Sequence, residues 1–481
     1  MSSGKYKPEY PRVAQLKTVD IFREHLQKEG IHLDFDAEVE SGINSPFAKS
    51  HTTRAGNEIG NSLCILPMEG WDGTTDGKPS DLTKRRWKNF AISGAKLLWG
   101  CEAVAVRHEG RANPNQLLMN EENLSEFEGL YQMIEKEHQD AFGNTSDLFT
   151  GLQLTHSGRF CKPNSKTKME PKILYSHPIL NKKFGLPDDY PLMTDSEISE
   201  LIEDYVSASV RAQKAGFKFV DIKHCHGYLG HEFLSAYDRE GKYGKSLENR
   251  TRFLREIVAG IRAEAPGLEI GVRMSIFDWS PFQEGPDGKG IPSMTDGYKY
   301  AFGGDSSGIH ENLSESFKFL NEMRDLDIEL LCTTAGSPYY NPHIQRPAIF
   351  PPSDGYNPPE DPLIGVARQI NATGEVKKAF PGFYVVGSAY SYLQEWLPNV
   401  GQHVLKSGKA DSIGLGRMVL SYPELPADIL AGNDMKRPKI CRTFSDCTTA
   451  PRNGIISGCF PLDPFYKKME EHEQLKLAKN K

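Results

Sequence analysis

The stretch FVDIKHCHGYLGHEFLSAYDREGKYGKSLENR, residues 219–250, decides the fold. It opens with a short apolar run at 219–222, which is typical of a buried parallel strand. Lys223, His226 and Tyr228 follow at the carboxyl end of that strand, and each can donate a hydrogen bond or a proton. We predict a polar cluster there, which is either a catalytic group or a hydrogen-bonded loop that ties the strand to the next element.

The residues after this cluster predict a turn and a returning helix. Gly227 lets the backbone turn, so that the three polar side chains can converge at one strand mouth. A helix is predicted to begin near Glu248, because apolar residues recur at helical spacing at 247, 254, 257, 258 and 261. Strand, polar loop and helix together form one β/α unit.

The rest of the chain repeats this unit. We predict eight strands, at residues 63–67, 97–103, 148–155, 219–224, 268–275, 330–334, 383–387 and 412–415. Helices separate most of them, for example at 125–137, 195–215 and 248–265. Eight such units predict an α/β fold of the closed (β/α)8, or TIM barrel, type rather than an open doubly wound sheet. In such barrels the chemistry lies at the carboxyl ends of the strands, where Glu69 and His156 also fall.

The barrel is predicted to occupy residues 51–430, between an N-terminal extension (1–50) and a C-terminal tail (431–481). The extension has one predicted helix and is expected to pack beneath the barrel or to contact another subunit. Two long loops, 277–312 and 336–362, follow the fifth and sixth strands. Both are therefore expected to lie over the barrel mouth, the first of them as a lid or specificity loop.

Composition excludes several classes of protein. The net charge of −7 and the pI near 6.1 argue against a general binder of nucleic acid or anionic membranes. No apolar run is long enough to span a bilayer, and the N-terminus lacks the apolar core of a signal peptide. Eight cysteines are too few for a disulfide-dense scaffold of this size. We therefore expect a cytoplasmic enzyme.

Several separated motifs over residues 45–430 together resemble the old yellow enzyme family of FMN-dependent oxidoreductases. The runs 226–229 (HGYL) and 246–250 (SLENR) are similar to the family's active-site segment, with Lys223 where the family has its first His. The other similar motifs are Leu66-Pro67-Met68-Glu69, Glu102-Ala103, Gln153-Leu154 with His156, Arg273, Gly387-Ser388 and Gly414-Leu415-Gly416-Arg417. The resemblance implies a barrel that binds FMN.

The resemblance also implies which residues hold the flavin: Pro67, Met68, Glu69, Ala103, Gln153, Arg273, Gly387, Ser388, Gly416 and Arg417. A guanidinium at 273 suits the negative charge of reduced flavin, and an amide at 153 can both donate to and accept from its pyrimidine edge. Arg417 would add charge to backbone N–H groups around the phosphate. Glu69 stands where relatives have Thr or Cys, so we expect FMN to be bound without a covalent cysteinyl link.

For catalysis, the resemblance implies that Tyr228 donates a proton to the substrate, while His226 and Lys223 hold and polarise its carbonyl group. The lysine is a departure from the family, and it predicts a carbonyl, carboxylate or other electron-rich group on the ligand, because an uncompensated buried ammonium is costly. The alternative is that Lys223 pairs with Glu69 or another acid and contacts no ligand.

The tail carries three cysteines, Cys441, Cys447 and Cys459. Larger relatives place a four-cysteine [4Fe–4S] motif in this region, but two of its ligand positions here fall on Ile440 and Thr443. We therefore expect a lost cluster and no metal. A zinc site that uses the three thiolates and a distant His is the alternative.

The resemblance implies FMN-dependent, NAD(P)H-driven hydride transfer to an activated C=C bond of a small-molecule substrate. NAD(P)H would be a transient donor that visits the same flavin face as the substrate, since the nucleotide-binding domains of the large relatives are missing. One alternative is an FMN dehydrogenase or demethylase that oxidises a C–N or C–O substrate with an external acceptor. Another is a flavin-free barrel with a binding role. No nucleic-acid or membrane partner is expected, and a homo-oligomer is left open.

Overall fold

The computed structural model describes residues 8–479, in which eight parallel strands close into a barrel. The strands are β1 (Leu63–Ile65), β2 (Leu97–Leu98 and Ala103–Ala105), β3 (Phe149–Thr155), β4 (Phe219–Ile222), β5 (Glu269–Ser275), β6 (Leu330–Thr334), β7 (Tyr384–Gly387) and β8 (Ser412–Leu415). Each strand pairs with the next, and β8 pairs with β1, where Gly414 lies opposite Cys64. The predicted (β/α)8 fold is confirmed.

Eight helices return outside the barrel, one after each strand. They are α1 (Asp81–Ala91), α2 (Leu124–Phe142), α3 (Asp195–Ala215), α4 (Leu247–Glu264), α5 (Ser314–Asp325), α6 (Pro362–Ala379), α7 (Leu397–Lys406) and α8 (Leu425–Ala431). Helix α3 illustrates how capping residues define where a helix begins and ends. Thr194 and Glu197 form a capping box at its start, and Gly216 ends it with φ of 109°.

Strand β2 differs from its prediction, because it is interrupted rather than continuous. Leu98 pairs with Thr150 and Ala103 with Gln153, so β2 holds two more residues than β3 between these pairs. The extra residues leave the ladder at Cys101, whose φ of 48° is left-handed. Such bulges re-aim side chains beside functional sites, and this one leads directly to the strand end at Ala103.

Aromatic side chains fill the lower end of the barrel. Phe149 of β3 stacks on Phe219 of β4 with ring centroids 4.9 Å apart, and Trp99 meets Phe219 edge-on at 5.3 Å. With Leu330, Tyr384 and other apolar residues they form a separate buried cluster. The barrel interior is therefore packed at this end, and a cavity opens toward the carboxyl ends of the strands.

The N-terminal segment packs on the outer side of the barrel. Phe22, in a helix at Val19–Lys28, stacks on Trp396 with centroids 4.5 Å apart, and the Trp396 indole donates to the Leu16 carbonyl at 2.7 Å. His25 pairs with Asp361 at the start of α6 at 2.8 Å. These contacts fix the segment against α6 and α7.

The remaining elements are short. Helices lie at Pro178–Lys183, Leu229–Leu234, Pro342–Gln345, Met418–Ser421, Asp446–Arg452, Pro464–Lys467 and Glu470–Lys479, and two-stranded hairpins at His51–Thr52 with Glu58–Ile59 and Phe282–Glu284 with Gly290–Pro292. Short 3-10 helices lie at Val13–Gln15, Gly42–Asn44, Pro46–Ala48, His108–Gly110, Glu121–Asn123, Gly158–Phe160, Tyr390–Trp396 and Arg437–Lys439. Within residues 8–479, no helix combines the length and the apolar character needed to cross a membrane.

Candidate active site

A cavity of about 280 Å³ opens at the carboxyl ends of the strands. Twelve of the residues predicted for the site line it: Pro67, Met68, Glu69, Ala103, Gln153, Lys223, His226, Tyr228, Arg273, Ser388, Gly416 and Arg417. Gly387 is not among the lining residues. A Cβ at that position would lie 2.5 Å from the Tyr390 hydroxyl, so glycine there makes room for Tyr390.

A buried carboxylate at the base of the cavity holds the flavin-binding candidates in place. Asp221 of β4 accepts hydrogen bonds from the Trp99 indole at 2.7 Å, from the Gln153 amide at 2.5 Å and from the Arg273 backbone N–H at 2.6 Å. Burial raises the pKa of Asp221 to about 6, and these bonds oppose the rise. Between residues 8 and 479 the Gln153 amide makes no other hydrogen bond, so its second N–H and its oxygen can meet a ligand.

The Arg273 side chain is buried and poorly satisfied. Its terminal nitrogens reach the Pro67 carbonyl only at 3.4 Å and the Ser388 hydroxyl only at 3.5 Å, and Nε has no hydrogen-bond partner among residues 8–479. A buried guanidinium with weak partners is costly unless an acceptor completes it. The oxygen-rich pyrimidine edge of a flavin fits this requirement.

Two further guanidinium groups meet where the phosphate of FMN is expected. Nη1 of Arg417 and Nη2 of Arg346 are buried and have no hydrogen-bond partner in the described chain, and both residues line the cavity. Burial, followed by the like charge of Arg417, lowers the pKa of Arg346 to about 10. Space beside Gly416 is open, with Met68 Sδ 3.9 Å from a Cβ built there. A phosphate dianion fits both the unpaired donors and the space.

Tyr228 is held by three neighbours. Its hydroxyl forms a short hydrogen bond to Oε2 of Glu69 and another to the Tyr339 hydroxyl at 2.8 Å. The Lys223 ammonium lies 3.7 Å from the centroid of its ring. Burial, then the negative charge of Glu69, holds the pKa of Tyr228 well above its usual 10. The phenol is therefore protonated at neutral pH and can act as an acid.

His226 turns into the cavity because the chain reverses at this residue. Its φ of 67° and the φ of 76° at Gly227 are both left-handed, so the turn begins one residue before the predicted glycine. The imidazole Nε2 lies 3.2 Å from the Gln345 amide and 3.4 Å from the Thr334 hydroxyl. Burial, followed by the charge of Arg273, holds the pKa of His226 well below 6.5, so the imidazole is neutral.

Lys223 is 6% exposed and lines the cavity. No ion pair or hydrogen bond of its ammonium occurs in residues 8–479, although the charge of Glu69 acts on it at longer range. The predicted alternative, a Lys223–Glu69 ion pair, is therefore not formed. Burial is the main cause that lowers the pKa of Lys223 below its usual 10.5. The ammonium is free to meet a ligand.

The structure adds residues that the sequence did not single out. Tyr339, Gln345 and Arg346 enter the cavity from the loop after β6, and Thr448 and Arg452 enter it from the tail. The loop at 336–362 lies at the barrel mouth as predicted. Its residue pattern does not indicate which of its side chains point into the cavity. No residue of 277–312 lines the cavity, so the expected role of that loop as a lid or specificity loop stays a prediction.

The three tail cysteines come together beside Arg417. Cys441, Cys447 and Cys459 line a separate small cavity, and Cys447 and Cys459 also border the main one. Among residues 8–479, no group of three or more His, Cys, Asp or Glu side chains is arranged to hold a metal ion. The tail thus forms one wall of the active-site cavity.

Comparisons with known proteins agree with this site. Residues 58–288 match the NADH:flavin oxidoreductase / NADH oxidase family. The chain is 30% identical over 377 residues to an NADPH dehydrogenase of Halalkalibacterium halodurans, covering 78% of this chain and 90% of that protein. It is 25% identical to the NADPH dehydrogenase of Bacillus subtilis, covering 76% and 88%.

Solved structures share the fold. An old yellow enzyme homologue from Zymomonas mobilis superposes with a TM-score of 0.56 at 20% identity, covering 81% of this chain and 94% of that one. A 2-naphthoyl-CoA reductase superposes with a TM-score of 0.65 at 19% identity, covering 88% of this chain, which spans just over half (57%) of that protein. The chain belongs to the NADH:flavin oxidoreductase / NADH oxidase family, the old yellow enzyme family, as an oxidoreductase with non-covalent FMN and NAD(P)H as electron donor.

Proposed function

We propose that this enzyme reduces the C=C bond of a small α,β-unsaturated carbonyl compound, with Tyr228 as the proton donor and with Lys223 and His226 holding the carbonyl oxygen. The observation that carries the proposal is the ammonium of Lys223, which is buried beside the Tyr228 ring and has no anionic partner among residues 8–479. FMN, when bound, supplies the hydride that completes the reduction.

The carbonyl oxygen of such a substrate satisfies two donors at once. The Lys223 ammonium gains an acceptor, and the neutral His226 imidazole can donate from a ring nitrogen. Both bonds strengthen as negative charge develops on the oxygen during hydride addition, so they favour the transition state over the ground state. A carboxylate on the substrate would bind the same two groups.

Tyr228 then completes the addition. Its O–H bond breaks as a C–H bond forms at the α-carbon, and the phenolate that remains lies under the Lys223 ammonium. A cation against the face of a ring stabilises that ring by about 2 kcal/mol when water is excluded. Lys223 would thus stabilise the negative charge that develops on the substrate oxygen and the negative charge left on the Tyr228 phenolate.

We assign the binding of FMN to six residues that line the cavity: Gln153, Arg273, Arg346, Ser388, Gly416 and Arg417. The unpaired donors of the three arginines support this assignment, because a flavin edge and a phosphate supply the acceptors that the protein lacks. Pro67, Met68 and Glu69 border the same space from the end of β1.

A cytoplasmic location is also part of the proposal. All eight cysteines are free thiols, as is usual where glutathione and thioredoxin keep thiols reduced.

A second function is favoured by one observation. The Tyr228 hydroxyl donates to the Glu69 carboxylate, and a tyrosine paired with a base can remove a proton from an amine or alcohol substrate. In that case the enzyme would be a dehydrogenase or demethylase that oxidises a C–N or C–O bond and passes electrons to an external acceptor.

Isotope placement tests the first function against the second. The enzyme would be incubated with 2-cyclohexenone and NADPH deuterated at the transferred position, and the product analysed by mass spectrometry and NMR. We expect one deuterium at the β-carbon, and in D2O with ordinary NADPH one at the α-carbon. Unchanged enone, together with NADPH that does not bleach the flavin, would contradict the reductase and favour the dehydrogenase.

A further inference from the structure

The proton on Tyr228 must be replaced in every turnover, and its surroundings limit how this can occur. Tyr228 is 3% exposed. Its hydroxyl has two hydrogen-bond partners within the described chain, Glu69 and Tyr339, and both are half-buried at the cavity wall. A new proton therefore arrives through one of these side chains or through water beside them.

We propose that Glu69 relays a proton from solvent to Tyr228 after each reduction. The relay rests on the proposed function, in which Tyr228 protonates the substrate carbon. It assigns a catalytic role to Glu69, whose carboxylate contacts the Tyr228 hydroxyl directly.

The step balances without any redox partner. Once Tyr228 has given its proton to carbon, a phenolate lies in hydrogen-bond contact with the Glu69 carboxylate. Two negative groups this close cannot both stay ionised at low cost, so the carboxylate takes a proton from water. The Glu69 O–H bond then breaks as the Tyr228 O–H bond re-forms, and hydroxide left in the solvent is neutralised by buffer.

The geometry of Glu69 suits this role. Its Oε1 accepts from the Trp71 indole at 3.2 Å and weakly from the Asn113 amide at 3.4 Å, while Oε2 meets Tyr228. One oxygen is thus oriented by neutral donors, and the other faces the proton acceptor. The residue is more exposed than Tyr228, so it links the phenol to solvent.

Tyr339 is a weaker candidate for the same task. Within residues 8–479 the Tyr339 hydroxyl has Tyr228 as its one hydrogen-bond partner, so no further side chain links it to solvent. A carboxyl group exchanges protons with water at ordinary pH. The ionisable groups that face Glu69 are Tyr228, Tyr339, Lys223 and Lys162.

Comparison of single and repeated turnovers tests the relay. In a first turnover Tyr228 already carries its proton, so Glu69→Gln should slow single-turnover reoxidation of the reduced enzyme by 2-cyclohexenone only slightly. In steady state at saturating NADPH, we expect kcat to fall by about 10- to 100-fold, the lower part of the range for proton-transfer groups. Glu69→Asp and added formate buffer should restore part of the loss.

Each other outcome overturns the relay. Equal losses in single and repeated turnovers would mean that Glu69 only positions Tyr228. If Tyr339→Phe, but not Glu69→Gln, slowed steady-state turnover more than single-turnover reoxidation, Tyr339 and not Glu69 would be the relay. Wild-type enzyme that 2-cyclohexenone does not reoxidise would refute the proposed reduction and the relay together, whereas active wild type with an unaffected Glu69→Gln would refute the relay alone.

Discussion

Replacing Lys223 by methionine separates its two predicted effects, on catalysis and on stability. Methionine keeps most of the length and apolar volume of the lysine stem but carries no charge. Lys223 has no ion pair within the described part of the chain, so the change removes the contact of its ammonium with Tyr228 and with substrate. A matched control is Lys136→Met, which removes a charge from the exposed face of α2.

The loss in catalysis follows from one hydrogen bond. A bond between an ammonium and a carbonyl oxygen contributes about 1.5–3 kcal/mol, which corresponds to about 10- to 150-fold in kcat/KM for the enone. Loss of the cation from the Tyr228 ring weakens the acid as well, so we expect the upper part of this range. Reduction by NADPH involves neither effect and should change much less.

Stability should move in the opposite direction. Burying an ammonium costs several kcal/mol, and its contact with a ring returns only about 2 kcal/mol. Lys223→Met is therefore expected to raise the free energy of unfolding by about 1 kcal/mol or more near pH 7. Because burial lowers the folded-state pKa of Lys223, this gain is full below that pKa, shrinks as the pH rises toward 10.5 and vanishes above it.

The assay is anaerobic stopped flow for the two half-reactions, with thermal unfolding at several pH values. An enone half-reaction in Lys223→Met as fast as in Lys136→Met would refute the role of Lys223 at the substrate oxygen. Unfolding at a lower temperature in Lys223→Met would refute the view that its ammonium lacks a compensating partner.

Three other changes test the rest of the site. Arg346→Ala or Arg417→Ala should weaken FMN binding to the apoprotein by about 10- to 150-fold but leave riboflavin affinity unchanged, as measured by flavin fluorescence, because riboflavin lacks the phosphate; equal losses for both flavins would contradict the phosphate site. Tyr228→Phe should slow single-turnover enone reduction by about 10²- to 10⁴-fold and spare reduction by NADPH; equal slowing of both would argue against a proton donor. Asp221→Asn leaves up to two buried donors without an acceptor and should lower the unfolding free energy in urea by about 2–6 kcal/mol; a change below about 1 kcal/mol would show that the site repacks.

The strand ends of the site could be predicted from the sequence because each lies in or directly after an apolar run that marks a strand. Once the eight strands close, residues at their carboxyl ends must meet at one mouth, whatever the loops do. This is why Gln153, Lys223 and Arg273 share a cavity as expected. The buried Asp221 could also have been noticed, since an acid inside an apolar strand requires hydrogen-bond donors nearby.

The loop contributions could not be predicted in the same way. Arg346 enters the cavity because Thr448 of the tail accepts a hydrogen bond from its guanidinium, and these residues are 102 positions apart. Ser457 likewise accepts a bond from the backbone N–H of Trp71. Contacts of this kind depend on how two irregular segments pack together, and neither segment has a periodic pattern that reports its inward face.

The most direct test of the central claim is the absorption spectrum of the purified protein during one anaerobic cycle. We expect a yellow protein whose flavin bands bleach on addition of NADPH or NADH and return when 2-cyclohexenone is added. FMN should be released on denaturation. A yellow protein that neither nicotinamide bleaches, or a bleached one that the enone does not restore, would contradict an NAD(P)H-driven reduction of activated C=C bonds.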